Sequence, residues 1–256
     1  VHGIGIKWRR KTHSLHNCGH HYTMPMRITP TDPRSSKAGR NDESYSDMQI
    51  KNIVFDLGGV LINLYVPRCV NAFIELMGAE NMRTVLGMDD DGEGVKSVSI
   101  ANRQLMADFE RGNISTQDFV AQILPYCHPG TTEQDIKNAW MSMVADLPQE
   151  RLDIVAQLRQ QGYRIYLLSN GNDLHFDFIN TTYHLDAYFE RFFLSQQMHM
   201  AKPEPEIFVR VNDAIGGTRD NTIFIDDLAA NRQAAEKTVG WTTFADVNQL
   251  VAALNG

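Results

Sequence analysis

The chain has 256 residues, 43% hydrophobic and 21% charged, with a net charge of −7, so it is long enough to bury a substantial core and has no basic surplus to suggest nucleic acid as a partner. Three cysteines are too few and too scattered for a disulfide framework, which points to a reducing compartment. No apolar run approaches the ~20 residues that span a bilayer, so a cytoplasmic protein without a membrane partner is expected, its oligomeric state left open.

Residues 1–47 stand apart from the rest. They carry eight Lys/Arg against four acids, which leaves −11 for the remainder. Pro25, Pro30 and Pro33, then SSKAGRNDESYSD, offer no apolar periodicity. The segment reads as a disordered tail or as sequence upstream of a start at Met48, and the second is preferred because MQIKNIVFDLGG opens a domain cleanly. His16, Cys18, His20 and His21 match no closed four-ligand zinc spacing.

Ile53, Val54 and Phe55 form a β-branched and aromatic run that predicts a strand buried on both faces, ended by Asp56 and the Gly58-Gly59 pair. From about Pro67 to Leu147 the pattern is helical. Val70, Phe73, Ile74 and Met77 recur at helical spacing, Phe119, Ile123 and Leu124 follow an N-cap within Asn113–Ser115, and Ile136, Trp140 and Met143 give a third stripe. Such stripes predict core packing in a helical module placed over the mouth of the sheet. Within it, Asp89 to Gly94 fits a calcium loop only to its sixth place, because Ile100 stands where a bidentate Glu is needed; a solvated acidic loop is the reading.

After Pro148 helices and strands alternate. Leu152, Val155, Ala156 and Leu158 line a helix closed by Gly162, and Arg164–Ser169 is the next buried strand. A short strand is expected at Phe192–Ser195, then a helix carrying Ile207, Phe208 and Val211 that ends at Gly216-Gly217. Thr222–Ile225 is a strand, Ala229–Val239 a helix, Thr242–Phe244 a weak strand, and a terminal helix follows. This alternation predicts an α/β fold with a doubly wound parallel sheet.

Three of these strands end in polar groups: Asp56, Ser169-Asn170 and Asp226-Asp227. Parallel strands point their carboxyl ends to one rim, so these groups should converge where open α/β sheets hold ligands. Lys202 lies at the start of the helix after the third strand and can reach the same rim. Three carboxylates that close repel by roughly 4 kcal/mol per pair at an effective dielectric near 20, which a divalent cation would relieve; Mg²⁺ suits one or two carboxylates plus a phosphate. A cation, a lysine, a hydroxyl and an amide around one carboxylate suit phosphoryl transfer, with Asp56 as nucleophile.

FDLGGVL, LLSNGN, KPEPEIF and FIDDLAAN, in this order, resemble the four motifs of the haloacid dehalogenase superfamily of phosphohydrolases, over about Met48–Gly256. The resemblance implies a Rossmann-like core from residues 48–66 and 148–256, with the helical block 67–147 as an inserted cap. It implies that Asp56 is nucleophile and Mg²⁺ ligand, with the Gly58 carbonyl, Asp226 and Asp227 completing the metal site. Ser169, Asn170, Gly171 and Asn172 would hold phosphoryl group and substrate, and Lys202 would balance charge. His175, five residues after Asn170, would face substrate or shuttle a proton. FDLGGV, SNGN and Phe109–Ser115 (FERGNIS) are most similar to the sugar-1-phosphate phosphatase branch. The implied function is Mg²⁺-dependent hydrolysis of a small phosphorylated metabolite, a sugar phosphate.

One position departs from the superfamily pattern. Most of its phosphatases carry a second Asp two residues after the nucleophile to protonate the leaving group, a contribution worth ~10²–10⁴-fold. Gly58 stands there, as it does in the sugar-1-phosphate-like branch, and Asn63 and Tyr65 occupy the stretch where that branch often places acids. An anomeric leaving group needs less protonation than an ordinary alkoxide. Two other functions fit parts of this pattern. Ser169-Asn170-Gly171 and the missing acid suit a hydrolytic dehalogenase, a chemistry in which the Asp226-Asp227 pair is out of place because it needs no metal. Gly58 and Asn63 suit a binding protein that keeps the fold without turnover.

Overall fold

Five parallel strands, β1 (Asn52–Phe55), β2 (Arg164–Ser169), β3 (Arg191–Leu194), β4 (Thr222–Ile225) and β5 (Thr242–Phe244), lie side by side in the order β3-β2-β1-β4-β5. They are seen in a computed structural model that describes residues 50–87 and 103–255. The expectations for residues 1–47 and for the acidic stretch 89–94 lie outside the described residues. Helices α1 (Val66–Leu86), α2 (Arg103–Glu110), α3 (Thr116–Ile123) and α4 (Glu133–Met141) are inserted between β1 and β2, and α5 (Gln149–Gln160) leads into β2. Then come α6 (Asp173–Tyr183), α7 (Ser195–Met198), α8 (Pro205–Ile215), α9 (Ala229–Val239) and α10 (Val247–Asn255). No helix among the described residues is long and apolar enough to cross a membrane.

The strand sequences explain the layers. Alternate residues face opposite sides, and here both sides are covered. Ile53, Phe55, Ile165, Leu167, Ile223 and Ile225 pack with Leu152, Val155 and Leu158 of α5 and Leu250 of α10. Val54, Tyr166, Leu168 and Phe224 pack on the other side with Ile207, Phe208 and Val211 of α8 and Ala235 of α9. This is why the strands read as continuous apolar runs. Central β1 pairs with β2 on one edge and β4 on the other. The chain runs outward from β1 through β2 to β3, then crosses back to β4 and β5. The reversal places the ends of β2, β1 and β4 side by side, where such sheets hold ligands.

Among the described residues, four α-helices with a core of their own make up the inserted cap. Phe109 and Phe119 stack with centroids 4.1 Å apart, Trp140 meets Phe119 edge-on at 5.2 Å, and Val70, Phe73 and Met77 close the cluster. The helical stripes are therefore core, as their spacing predicts. Ser115 caps α3 and Thr132 caps α4, each in a reciprocal pair with an Asp three residues on. A break at Gly78 (φ 79°) interrupts α1. The two connections to the core pair with each other: Leu64 bridges Val144, with Asn63 N–H donating to the Asp146 carbonyl (2.8 Å) and Tyr65 N–H to that of Met143 (2.7 Å). The third strand stops at Leu194, one residue short of its expected end. Ser195 instead starts α7 and turns its hydroxyl to the Gly171 N–H and the Glu110 carbonyl.

Candidate active site

Lys202 is the hub of the rim. Its Nζ donates to the Leu168 carbonyl (2.9 Å) and lies 2.8 Å from Asp56 Oδ1 and 2.7 Å from Asp226 Oδ2. Burial alone would depress its pKa, but Asp56 and Asp226 together outweigh this and raise it, so the ammonium stays charged. Its backbone is clamped by the Asn170 side chain, which accepts from Lys202 N–H (2.9 Å) and donates to its carbonyl (2.8 Å). The end of β2 thus fixes the loop that carries the lysine.

The aspartates divide into different environments. Asp226 is fully buried, and its oxygens accept from Lys202, from Leu228 N–H (2.9 Å) and from Asn231 Nδ2 (3.0 Å to each). A carboxylate offers about four lone-pair sites, and those of Asp226 are engaged. Arg232 adds bonds to the carbonyls of Asp226 and Asp227. Asp56 holds Leu57 N–H (2.7 Å) and Lys202 on Oδ1, whereas Oδ2 takes no hydrogen bond from the described residues. Burial, with the charge of Asp226, pushes the Asp56 pKa up to about 6 against the pull of Lys202. Asp227 is exposed at the rim, and partial burial and the charge of Asp226 raise its pKa against the pull of the Asp227 and Leu228 backbone N–H groups and of Lys202. Gly59 sits beside it at φ +74°, where an added Cβ would fall 2.5 Å from Asp227 Oδ2, so both backbone and space require glycine.

Ligand atoms of Asp56, Asp226 and Asp227 lie within 4.8 Å of one another. One lysine faces three carboxylates there, and the donors are all oxygens. This set fits a hard divalent cation, with Asp56 Oδ2 and Asp227 the oxygens still open to it.

The SNGN motif is split by the structure. Ser169 is buried at the end of β2, its Oγ 3.3 Å from the Asn170 carbonyl. Gly171 N–H points to Ser195. Asn172 and His175, expected to hold substrate, line the space between core and cap and bond to each other there: Asn172 accepts from His175 N–H and meets its Nδ1 (3.3 Å). Since Asn172 donates there, Nδ1 accepts, and Nε2 carries the proton it gives to the Trp140 carbonyl in the cap (3.1 Å). The ring also stacks on Trp140, and burial pushes its pKa down to about 4. A neutral imidazole with both nitrogens bonded ties cap to core and has no free atom for proton shuttling.

Sequence reasoning passed over Asn231 and Arg232, although FIDDLAAN contains the first; a polar residue on the opening turn of the following helix was the available signal. It also gave no role to FERGNIS. In that loop Arg111 pairs with Glu204, two residues past Lys202, its carbonyl meets the His199 ring (3.0 Å), and Gly112 packs directly on the Gln196 backbone. The cap is thereby docked onto the loop that carries the lysine. Two neighbouring cavities result. One, about 600 Å³, is lined by Asp56, Gly58, Gly59, Lys202 and Asp227. The other, about 650 Å³, lies between core and cap and shares Gly58, Leu64, Val66 and Asn170 with the first.

A doubly wound sheet with a lysine-bridged carboxylate cluster at its rim and a helical cap beside it is the architecture of a capped hydrolase with a Rossmann-like core. Residues 50–237 match the haloacid dehalogenase-like hydrolase family, to which this chain belongs. The chain is 29% identical over 205 residues to the D-ribitol-5-phosphate phosphatase of Bacteroides thetaiotaomicron, covering 78% of this chain and 93% of that one. Among solved structures, a family enzyme of Bacteroides thetaiotaomicron in complex with magnesium and inorganic phosphate superposes with a TM-score of 0.63 at 34% identity, covering 76% of this chain and 93% of that one. A hydrolase of the same type from Porphyromonas gingivalis gives 0.66 at 29% identity, covering 81% and 99%.

Proposed function

We propose that this chain is an Mg²⁺-dependent phosphatase that hydrolyses a small phosphorylated metabolite through an aspartyl-phosphate on Asp56. The observation that carries the reading is the asymmetry of Asp56: Lys202 and Leu57 N–H hold Oδ1, leaving Oδ2 open near the exposed carboxylate of Asp227. The Asp56 carboxylate is then the attacking group: its bond to phosphorus forms as the bond to the alcohol oxygen breaks. The alcohol leaves with a proton taken from solvent, and water cleaves the acyl phosphate to release phosphate and restore the carboxylate. Ser169 Oγ and the Asn170 backbone hold the phosphoryl oxygens, and Lys202 offsets charge on Asp56 as it loses its own. The cation would be held by Asp56, the Gly58 carbonyl and Asp227, with Asp226 anchoring Lys202 next to them. When bound it neutralises phosphoryl charge. The magnesium and phosphate complex of the Bacteroides enzyme and the ribitol-phosphate activity of the curated relative support this reading, and a screen takes sugar and polyol phosphates together with phosphates of apolar alcohols.

The test is phosphate release from a metabolite panel by the purified chain. Release that needs Mg²⁺, stops with EDTA and returns on adding metal is expected. Release no greater than that of Asp56→Asn on every ester would remove the proposal, and halide release from haloacids that survives EDTA would replace it with dehalogenation.

Gly58 offers a sharper probe of the leaving-group step. An added Cβ there would meet only the Leu64 side chain, at 2.9 Å, and Leu64 is 44% exposed and free to turn away. Gly58→Asp is expected to raise turnover of alkyl phosphates by about tenfold or more, toward the contribution of a general acid, with little change for aryl phosphates whose leaving groups need no proton. An equal change on both classes would show that the new carboxylate does not act on the leaving group.

A further inference from the structure

The larger cavity has an uneven wall. Leu57, Ile62, Met106, Val144, Phe176 and Ile179 represent its apolar majority. Among its polar side chains, Asn170 is bonded to the Lys202 backbone, and Asn172 and His175 are bonded to each other and to the cap. What remains open is small and clustered. Trp140 Nε1 and both amide atoms of Gln196 are buried without a hydrogen-bond partner, in residues only 4% and 7% exposed. Among the described residues, three of the four buried side-chain atoms left in this condition belong to this wall. Such atoms are costly and rare in native proteins. The Glu110 carboxyl, also in the wall, makes no side-chain hydrogen bond among the described residues, and burial raises its pKa despite neighbouring Arg111.

Beyond Ser169 and Asn170 at the phosphoryl end, the polar groups that the described wall leaves unpaired are one indole donor, one amide and one carboxyl, set among hydrocarbon. A polyol chain brings a hydroxyl on every carbon, and each hydroxyl pressed against Leu, Ile, Met or Phe loses its water without replacement. An apolar skeleton loses nothing there and is favoured by removal from water. A volume of about 650 Å³ is that of a small-molecule site.

From this wall we infer that the cavity receives the alcohol part of the substrate, and that this alcohol is a compact, predominantly apolar skeleton with a single hydroxyl, carbonyl or amide group that meets Gln196 and Trp140, and not a polyol. The inference rests on the phosphatase reading for the placement of the phosphoryl group and narrows its substrate class.

Phosphonates test it without turnover, because their C–P bond is not hydrolysed. With the full chain and Mg²⁺, phenylbutylphosphonate is expected to bind roughly tenfold or more tightly than the methylenephosphonate isostere of a pentitol phosphate. Equal affinity, or tighter binding of the polyol, overturns the inference. Gln196→Leu is expected to weaken binding of a phenylbutylphosphonate bearing a terminal hydroxyl by about fivefold or more while leaving the unsubstituted ligand unchanged or tighter; an equal loss on both overturns the assignment of Gln196. Phosphate release from the corresponding esters separates the two readings. An apolar preference in binding with no release of phosphate sinks the phosphatase and leaves only the apolar character of the cavity's ligand standing. Release with a polyol preference does the reverse.

Discussion

Lys202→Met is expected to destabilise the chain by about 3–5 kcal/mol, the usual consequence of removing one partner from a buried ion pair, and to abolish turnover. The Lys202 side chain is 1% exposed and that of Asp226 is 0% exposed, so solvent cannot take over the role of the ammonium. Its removal leaves Asp56 and Asp226 facing each other in a buried setting, and the Leu168 carbonyl loses its donor. Such a loss is a large part of the 5–15 kcal/mol that typically holds a domain together. Denaturant titration of metal-free protein at neutral pH measures it, and a loss under 1 kcal/mol would show that the two carboxylates do not depend on the lysine. Acidification should recover part of the loss, because protonating either carboxylate removes the repulsion. Lys202→Arg should not rescue turnover, since a planar fork cannot reproduce three bonds converging on a compact ammonium.

Asp56→Asn is expected to lower turnover by roughly 10⁴-fold or more, because the covalent route is lost entirely. Its effect on stability has the opposite sign. The Asp56 pKa is raised from 3.8 to about 6 in the folded chain, so the folded state binds this proton more readily than the unfolded state does. Asp56 is then neutral in effect below pH 3.8, and its contribution to stability becomes unfavourable as pH rises through about 6. Metal-free wild-type protein should lose stability across that window, and Asp56→Asn should not. At about pH 7.5 in EDTA the variant should melt at a higher temperature than wild type, with the two converging near pH 4. Added Mg²⁺ should stabilise wild type more than the variant, because a ligand carboxylate is gone. Melting curves with the same pH dependence in both proteins would mean that burial does not strain Asp56.

The fold was legible because its strands carry their environment in composition. Ile53–Phe55, Arg164–Ser169 and Thr222–Ile225 are short β-branched and aromatic runs, and only a sheet covered on both faces accommodates such runs three times over. The rim was legible for a related reason: a parallel sheet converts three strand ends into one place, so Asp56, Ser169 and Asp226 needed no contact information to be grouped. What could not be read was how the groups at that place bond to each other. Asp226 and Asp227 are adjacent and chemically identical, yet Asn231 and Lys202 engage one and leave the other open, a difference set by the start of α9 and the path of the Lys202 loop. His175 looked available because its helix starts at the rim, but Trp140 reaches it from the cap, and no pattern within either helix predicts a meeting of residues so distant in sequence. Gln196 and Trp140 were silent for the same reason. Each is an ordinary amphipathic position until its neighbours are known.

Among the described residues the cap is fastened to the core in three places: the paired connection through Leu64 and Val144, the seat of Gly112 and Arg111 on the segment from Gln196 to Glu204, and Trp140 stacked on and bonded to His175. A rigid body held at two points can still swing about the line that joins them, and a third fastening away from that line opposes the swing. Movement of the cap therefore begins with the release of a fastening. One of the three lies on the same short segment as Lys202, so a load placed on it is passed to the ammonium that neutralises the nucleophile.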